Sequence, residues 1–195
     1  MPDRTTDELL LERAGEGDQA AFLGLYERHR NAVFRFAYRL LGSVEMAEDI
    51  THDCFLSLIR KPENFNPARA SLRTYLYSAA RNLSMKHFRN SGRETAIEEL
   101  AEDPQIPFRE QPLSRLLDKE LTLKVKQAVS SLPPLQREAL VLFEYEGLAL
   151  SEIASVVGTD VGAVKARLHR ARQRLKNMLQ PYLNSSREIV TLEKA

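Results

Sequence analysis

Most of the chain repeats one spacing: apolar residues recur at intervals of three and four, as they do along a single face of an α-helix. The longest such run, from Phe22 to Leu40, follows Asp18, a residue type typical of helix N-caps, and ends before Gly42, a residue type typical of helix C-termini. Leu, Ala, Glu and Arg dominate the 195 residues, which include only eight Gly and nine Pro. This composition favours helices over sandwiches or barrels, so we predict an all-α protein.

Prolines and a loss of periodicity divide the predicted helices into two groups. We expect the first group at residues 7–14, 18–42, 44–60 and 72–89, and the second at 115–131, 134–145, 151–157 and 161–179. Between them, residues 90–114 lose the apolar spacing and contain three prolines. The sequence therefore predicts two small helical domains, at 1–92 and 115–180, joined by a flexible linker at 93–114 and followed by a tail at 181–195 that has no recognisable signal.

Charge is balanced overall but unevenly distributed. Lys and Arg total 28 against 27 for Asp and Glu, which gives a net charge of +1. Residues 69–93 nevertheless contain six basic and no acidic side chains, and residues 161–180 contain the same numbers. Two stretches of one sign in a nearly neutral chain predict two contacts with one polyanion.

The second basic stretch has the pattern of a helix-turn-helix. A short predicted helix at 151–157 is joined by the three residues Gly158, Thr159 and Asp160 to the basic helix. The outer face of that helix begins with small residues and hydrogen-bond donors, which suits close approach to a DNA groove. The sequence predicts DNA binding, the alternative being a solvated basic helix on an ordinary bundle.

The first basic stretch places cations beside aromatic rings. Arg73, Tyr77, Arg81, Ser84 and Phe88 share one arc of the helix predicted at 72–89. Guanidinium groups pair with phosphates and rings stack on exposed bases, so this arc suits single-stranded nucleic acid. The alternative is that Tyr77 and Phe88 pack in the core against another helix.

The helix predicted at 44–60 has an acidic face opposite its apolar stripe. The face comprises Glu45, Glu48, Asp49, His52 and Asp53, and we expect Phe55 and Ile59 to border it. A single-sign face with an apolar rim predicts docking to a basic partner, although a solvated face is the more frequent outcome of such a pattern.

Nothing in the pattern predicts an enzyme. Cys54 is the only cysteine, so no intramolecular disulfide can form, and helix geometry directs it away from the neighbouring His52. We expect no catalytic residue, cofactor or metal, because the four His residues have no recognisable ligand spacing. No apolar run reaches the roughly 18 residues of a membrane span, so we expect a cytoplasmic protein without membrane insertion.

Two blocks of the chain resemble a known family, the extracytoplasmic-function (ECF) sigma factors of bacterial RNA polymerase. The segment GDQAAFLGLYERHRNAVFRFAYRLLGSVEMAEDITHDCFLSLIR resembles the front of sigma domain two, and SLRTYLYSAARNLSMKHFRN resembles its promoter-melting end. LPPLQREALVLFEYEGLALSEIASVVGTDVGAVKARLHRARQRLKNML resembles domain four. The resemblance implies a promoter-specific initiation factor that binds core RNA polymerase, recognises the minus-35 and minus-10 elements and helps to melt the promoter.

The resemblance also assigns roles to individual residues. It implies minus-35 duplex contacts at Arg137, Lys165, Ala166, Arg167, His169 and Arg170. It implies minus-10 single-strand contacts at Asn64, Phe65, Arg69, Ser71, Arg73, Tyr77, Arg81 and Asn82. It implies core-polymerase contacts at Glu48, Asp49, Asp53 and Phe55, and a controlling anti-sigma factor. Two readings compete with it: a stand-alone helix-turn-helix repressor or activator, and an adaptor with no nucleic-acid role.

Overall fold

The structure, a computed structural model, describes residues 6–90 and 112–192. The N-terminal helices are α1 (Asp7–Gly15), α2 (Gln19–Leu41), α3 (Val44–Arg60) and α4 (Leu72–Asn90), with a 3-10 turn at Pro62–Asn64. The C-terminal helices are α5 (Pro112–Ser130), α6 (Pro134–Leu140), α7 (Leu150–Val157) and α8 (Val161–Leu192). No strand occurs within the described ranges, and the all-α prediction is confirmed there. Most of the expected linker, 93–114, lies outside the described residues.

Local capping chemistry explains where the first helices begin and end. The Asp18 carboxylate accepts hydrogen bonds from the backbone N–H groups of Ala20, at 2.9 Å, and Ala21, at 3.1 Å. At the other end of α2, Gly42 adopts a left-handed φ of 74°, which glycine reaches without steric cost. Ser43 then caps α3 by accepting from the N–H of Met46. This short connection lets α2 and α3 pack face to face.

Two expectations about helix ends were wrong. The helix expected at 134–145 is α-helical only to Leu140, and Val141–Tyr145 form a π-helical turn. The basic helix was expected to end at residue 179, before Pro181, yet α8 continues to Leu192. A proline removes one backbone donor and usually marks a helix boundary, but a helix tolerates it at a cost.

Both groups of helices bury apolar side chains and also pack on each other. The N-terminal core includes Phe36, Leu40, Ile50, Cys54 and Leu76, and the C-terminal core includes Leu132, Leu142, Ile153, Val164 and Leu168. Helix α4 packs against α7, and α2 packs against α6 and the π-helical turn. The region between the two groups is therefore a packed interface, and it is where many of the expected site residues lie.

Candidate nucleic-acid interface

Helices α7 and α8 form the helix-turn-helix that the sequence predicts. Gly158 ends α7 with a left-handed φ of 67°, and the N–H of Thr159 bonds to the carbonyl of Ala154 at 3.0 Å. The carboxylate of Asp160 accepts from the N–H of Ala163 at 2.8 Å and so caps α8. Val164, in the first turns of α8, is buried and fixes which face of the helix turns outward.

The outer face of α8 is open to solvent. Lys165, His169 and Arg170 are exposed, Ala166 is half-buried, and Arg174 and Lys176 extend the basic surface along the helix. Arg172 is directed back onto its own domain, where it pairs with Glu144 at 2.7 Å and lies over the ring of Phe143. The side chains expected to reach base edges are thus accessible, as major-groove binding requires.

Arg167 is an exception on this helix. Its guanidinium donates to the Glu138 carboxylate at 3.0 Å, and four-fifths of its side chain is buried. It therefore does not lie on the open face with Lys165 and Arg170, and its expected minus-35 contact stays a prediction that this arrangement does not favour.

Glu138 of α6 is fully buried and binds an arginine from each group of helices. Arg81 of α4 donates through Nε to Glu138 Oε2 at 2.9 Å, while Arg167 of α8 approaches Oε1. Burial raises the pKa of the Glu138 carboxyl, and the hydrogen bond and charge of Arg81 oppose that rise. The Glu138 carboxylate thus binds two arginines, Arg81 and Arg167, that were both expected to contact DNA.

Glu146 makes a second contact of the same kind at the end of the π-helical turn. Tyr77 donates its phenolic O–H to Glu146 Oε2 at 2.5 Å, and Arg39 approaches Oε1 at 3.3 Å. Arg73 donates to the backbone carbonyl of Glu146. Burial and the neighbouring Glu146 carboxylate both raise the pKa of Tyr77, so its O–H remains protonated and able to donate.

Tyr77 lies in the core, as the alternative interpretation of its helical arc proposed. Only 1% of the residue is exposed, and its ring meets Phe36 edge to face with centroids 5.2 Å apart. Phe88, on the same arc, is half-buried. In this arrangement Tyr77 cannot stack on a DNA base, because no face of the ring is open.

Arg137 is buried at the junction of the two groups of helices. Its guanidinium donates to the carbonyl of Leu40, near the C-terminal end of α2, at 2.6 Å. It also donates to the carbonyl of Ser130, the last residue of α5, and to the carbonyl of Leu132, which follows that helix. Burial lowers its pKa to about 10, which leaves it charged at neutral pH. Its expected minus-35 duplex contact stays a prediction that this buried position does not favour.

The loop before α4 presents a mixture of open and buried side chains. Asn64, Arg69 and Ser71 are exposed, and Ser71 caps α4 by accepting from the N–H of Thr74 at 3.2 Å. Phe65 is buried and packs edge to face on Tyr75. Asn82, further along α4, is exposed. The open part of the expected minus-10 surface is thus the loop and one edge of the helix.

The acidic face of α3 is exposed as expected, with Glu48, Asp49 and Asp53 open to solvent. The expectation that Phe55 borders this face was wrong. Phe55 is 1% exposed and packs beneath the face, with its ring 4.9 Å from that of Tyr26. Cys54 is also buried, and burial raises the pKa of its thiol to about 12.

Sequence reasoning missed Glu138, Glu146 and Arg39. A signal was present for Glu138: the residues three and four places on, Val141 and Leu142, are apolar, so this carboxylate lies on the buried face of its helix. A buried carboxylate needs a cationic partner. Nothing local indicates that one partner comes from α4, more than fifty residues earlier.

Within the described residues, no cluster of three or more His, Cys, Asp or Glu side chains has the geometry of a metal site. Among the described helices, none combines the length and apolarity needed to cross a bilayer.

Comparison with known proteins matches both groups of helices to one family. The model of sigma-70 region 2 matches residues 25–94, and the model of sigma-70 region 4 matches residues 122–175. The ECF RNA polymerase sigma-E factor of Haemophilus influenzae is 30% identical over 191 residues, which cover 94% of this chain and all of the relative. The ECF sigma factor SigE of Mycolicibacterium smegmatis is 36% identical over 168 residues, and the match spans 84% of this chain and 64% of the relative.

Two solved structures have a similar fold. The sigma factor RpoE of Bartonella quintana, solved with the anti-sigma factor NepR, is 27% identical with a TM-score of 0.63, covering 77% of this chain and 91% of that one. CnrH, solved with the cytosolic domain of CnrY, is 27% identical with a TM-score of 0.65, covering 90% of this chain and 97% of that one.

Proposed function

Since the chain belongs to the ECF RNA polymerase sigma factors, we propose that it binds core RNA polymerase and directs it to promoters by reading the minus-35 and minus-10 elements. The observation that carries this proposal is the open basic face of α8 in a helix-turn-helix whose other face is buried in the fold. An adaptor without a nucleic-acid role has no use for such a face.

The minus-35 element is read as duplex by the exposed side chains of α8. Ala166 leaves room for close approach, and Lys165, His169 and Arg170 present donors to guanine edges or phosphates. Arg174 and Lys176, further along the helix, lie where they contact the phosphate backbone. Arg137 and Arg167 join this surface only if their present partners, the Leu40 carbonyl and Glu138, release them.

The minus-10 element is taken up as single strand by the loop before α4 and by α4 itself. Asn64, Arg69, Ser71 and Asn82 are accessible to a strand as the helices stand. Arg73 is half exposed and lies 5.5 Å over the Tyr77 ring, while Arg81 is held by Glu138. Phe65, packed on Tyr75, shapes the loop from beneath.

Core polymerase docks on the acidic face of α3 through Glu48, Asp49 and Asp53. Phe55 supports this face from within the core rather than touching the partner. The chemistry is binding alone: trapping of unstacked bases offsets the cost of opening the duplex, a few kcal/mol per step. We propose no catalysis, and we place the protein in the cytoplasm with an anti-sigma factor as its controlling partner.

Run-off transcription with core polymerase on a promoter library tests this function. We expect initiation at a subset of promoters and a changed minus-35 preference for Arg170→Ala, since a good contact to a base edge discriminates by about 1–3 kcal/mol. Arg35→Ala is the matched control, because it removes the same charge from an exposed position on α2. Failure of the wild-type chain to support initiation on any promoter of its native genome contradicts the proposal and favours a stand-alone repressor or activator.

A further inference from the structure

Helix α8 packs on the other C-terminal helices along a narrow apolar stripe. Its buried members in the first three turns are Val164, Leu168 and Ala171. At 100° per residue these three side chains lie within about 60° of one another around the helix axis. Apolar contacts are not directional, so a stripe of this width constrains the rotation of α8 about its own axis only loosely. A second constraint is needed to orient the outer face.

Two arginines lie at opposite edges of this stripe. Arg167 lies about 40° beyond Ala171 on one side, and Arg172 lies about 40° beyond Leu168 on the other. Both guanidinium groups are bound by carboxylates of the segment that runs from α6 into the π-helical turn. A rotation of α8 that draws one arginine outward therefore pushes the other into the packed interior.

The Arg167 pair is the buried one. Its partner Glu138 has no exposed side-chain surface, and the two charged groups meet at 3.0 Å. A hydrogen bond between two ions is directional, and removing one ion from a buried pair is costly because the other charge stays buried. Glu138 also accepts from Arg81 of α4, so a substitution of Arg167 leaves it one cationic partner here. Arg167 thus fixes the rotation of α8 at one edge of the stripe.

The Arg172 pair lies at the solvent-exposed edge. Its guanidinium donates to Glu144 at 2.7 Å and lies 5.2 Å from the centre of the Phe143 ring. Both charged side chains are about half exposed, and an ion pair in water contributes little to stability. We therefore expect the orientation of α8 to depend mainly on Arg167.

The outer face that these pairs orient lies opposite the apolar stripe. Ala166 is near its centre, with Lys165 and His169 on one side and Arg170 on the other. Side chains that read base edges must be held within about 0.5 Å and 10–20° of the productive geometry. Because these four residues share one rigid helix, a rotation of α8 displaces all of them together.

We propose that Arg167 is a positioning residue of the minus-35 surface: by pairing with Glu138 it sets the rotation of α8, and it does not contact the promoter itself. This inference rests on the proposed function, which assigns minus-35 reading to α8. It replaces the duplex contact expected for Arg167 with an indirect role. Glu138 is the other half of the positioning pair.

Run-off transcription with the full-length chain and core polymerase tests this role. The promoters share one minus-10 element and differ by single base pairs in the minus-35 element. The variants are Arg167→Met, Glu138→Gln and the two combined, and circular dichroism establishes that each retains its helices. Arg174→Met is the matched control, since it makes the same change at an exposed position on the same helix.

We expect Arg167→Met to lower run-off from the preferred minus-35 element by about fivefold or more, the factor that one well-placed base contact is worth. The ratio between preferred and variant elements should fall with it. In the Glu138→Gln background, Arg167→Met should have little further effect, because the group through which Arg167 acts is already changed. Arg167→Lys, which keeps a cation for Glu138, should restore the wild-type order of preference.

The control should behave differently in both respects. Arg174 lies where it contacts the phosphate backbone, so Arg174→Met should lower run-off from every minus-35 variant by one common factor. That factor should be the same with Glu138 and with Glu138→Gln, since the two sites share no contact. A general loss of folded protein would also act equally on all promoters, so a changed order of preference separates positioning from stability.

Hydrogen–deuterium exchange of the free full-length chain tests the pair without polymerase. Arg167→Met should raise the exchange rates of backbone amides in the first turns of α8 by about tenfold, as expected for loss of a hydrogen bond to a charged group. Arg174→Met should leave these rates unchanged.

Two transcription results overturn the proposal while wild type initiates normally. One is a loss for Arg167→Met that is uniform across the minus-35 variants, and the other is a loss that adds in full to that of Glu138→Gln, as for a direct DNA contact. Unchanged amide exchange in Arg167→Met overturns it as well. If wild type initiates at no promoter, the proposed function fails and the reading role with it, whereas faster exchange in Arg167→Met still shows that the pair holds α8.

Discussion

Alanine substitutions at Phe55 and Asp53 distinguish a core residue from a docking residue on the same helix, α3. The ring is 1% exposed and packs edge to face on Tyr26, whereas Asp53, two residues earlier, is exposed on the acidic face. A side chain with no open surface stabilises the fold and cannot touch a partner directly. We therefore expect Phe55→Ala to lower stability and Asp53→Ala to lower polymerase binding.

The magnitude follows from the burial. Removing a buried Phe ring costs about 3–5 kcal/mol, and the lost edge-to-face pair with Tyr26 is part of that sum. The net free energy of unfolding of such domains is only about 5–15 kcal/mol, so the Phe55→Ala variant leaves the N-terminal helices marginally stable. Asp53→Ala changes the free energy of unfolding by less than about 0.5 kcal/mol, as is usual for an exposed position.

Urea unfolding followed by circular dichroism measures the stability of both variants, and a pull-down with core polymerase measures docking. With a slope of about 1–3 kcal/mol per molar urea, Phe55→Ala should lower the midpoint by roughly 1–5 M, while Asp53→Ala should leave it in place. Phe55→Leu, which keeps most of the apolar volume, should recover much of the loss. The reasoning is refuted if Phe55→Ala unfolds at the wild-type midpoint yet no longer binds polymerase.

Three further outcomes each depend on a single residue. Burial raises the pKa of Cys54 to about 12, so its thiolate is scarce at pH 8 and becomes abundant only as the pH approaches that value. Alkylation of this buried thiol by iodoacetamide should therefore be at least about 100-fold slower in native buffer than in denaturant. Equal rates in the two conditions would show an accessible thiol. Gly158→Ala should destabilise the C-terminal helices by about 1 kcal/mol or more because φ is 67° there. Gly24→Ala, inside α2 with open space around the added methyl group, should stabilise the N-terminal helices by up to about 1 kcal/mol. Thermal unfolding distinguishes the two variants, because the unfolding temperature should fall for Gly158→Ala and rise for Gly24→Ala.

The sequence predicted what depends on local chemistry. The bounds of α3, the Asp18 cap and the turn at Gly158 follow from residue types that satisfy or bend the backbone within a few positions. The open face of α8 was also predictable, because a basic side chain opposite a continuous apolar stripe has no partner within the helix.

The partner that covers the basic and aromatic face of α4 could not be predicted in the same way. The arc holding Arg73, Tyr77 and Arg81 suits a nucleic-acid strand and suits a carboxylate-bearing helix equally well, since both present anionic oxygens and apolar surface. The structure gives these side chains Glu138 and Glu146, which lie more than fifty residues away in the sequence. The prediction for Phe55 was wrong for a related reason. An apolar residue at the edge of a helical stripe is buried or exposed according to which helix packs there. Here α2 packs there, and its Tyr26 covers the Phe55 ring.

Glu138 and Glu146 differ in how far their pairing depends on the contact between the two groups of helices. Glu138 pairs with Arg81 of α4 and also with Arg167 of α8, so part of its pairing lies within the C-terminal helices. The side chains that pair with the Glu146 carboxylate, Arg39, Arg73 and Tyr77, all belong to α2 and α4. A carboxylate that loses its cationic partner while it stays buried is strongly destabilised, whereas one that becomes exposed is hydrated instead. The pairing of Glu146 therefore depends on the contact between the two groups more than that of Glu138 does.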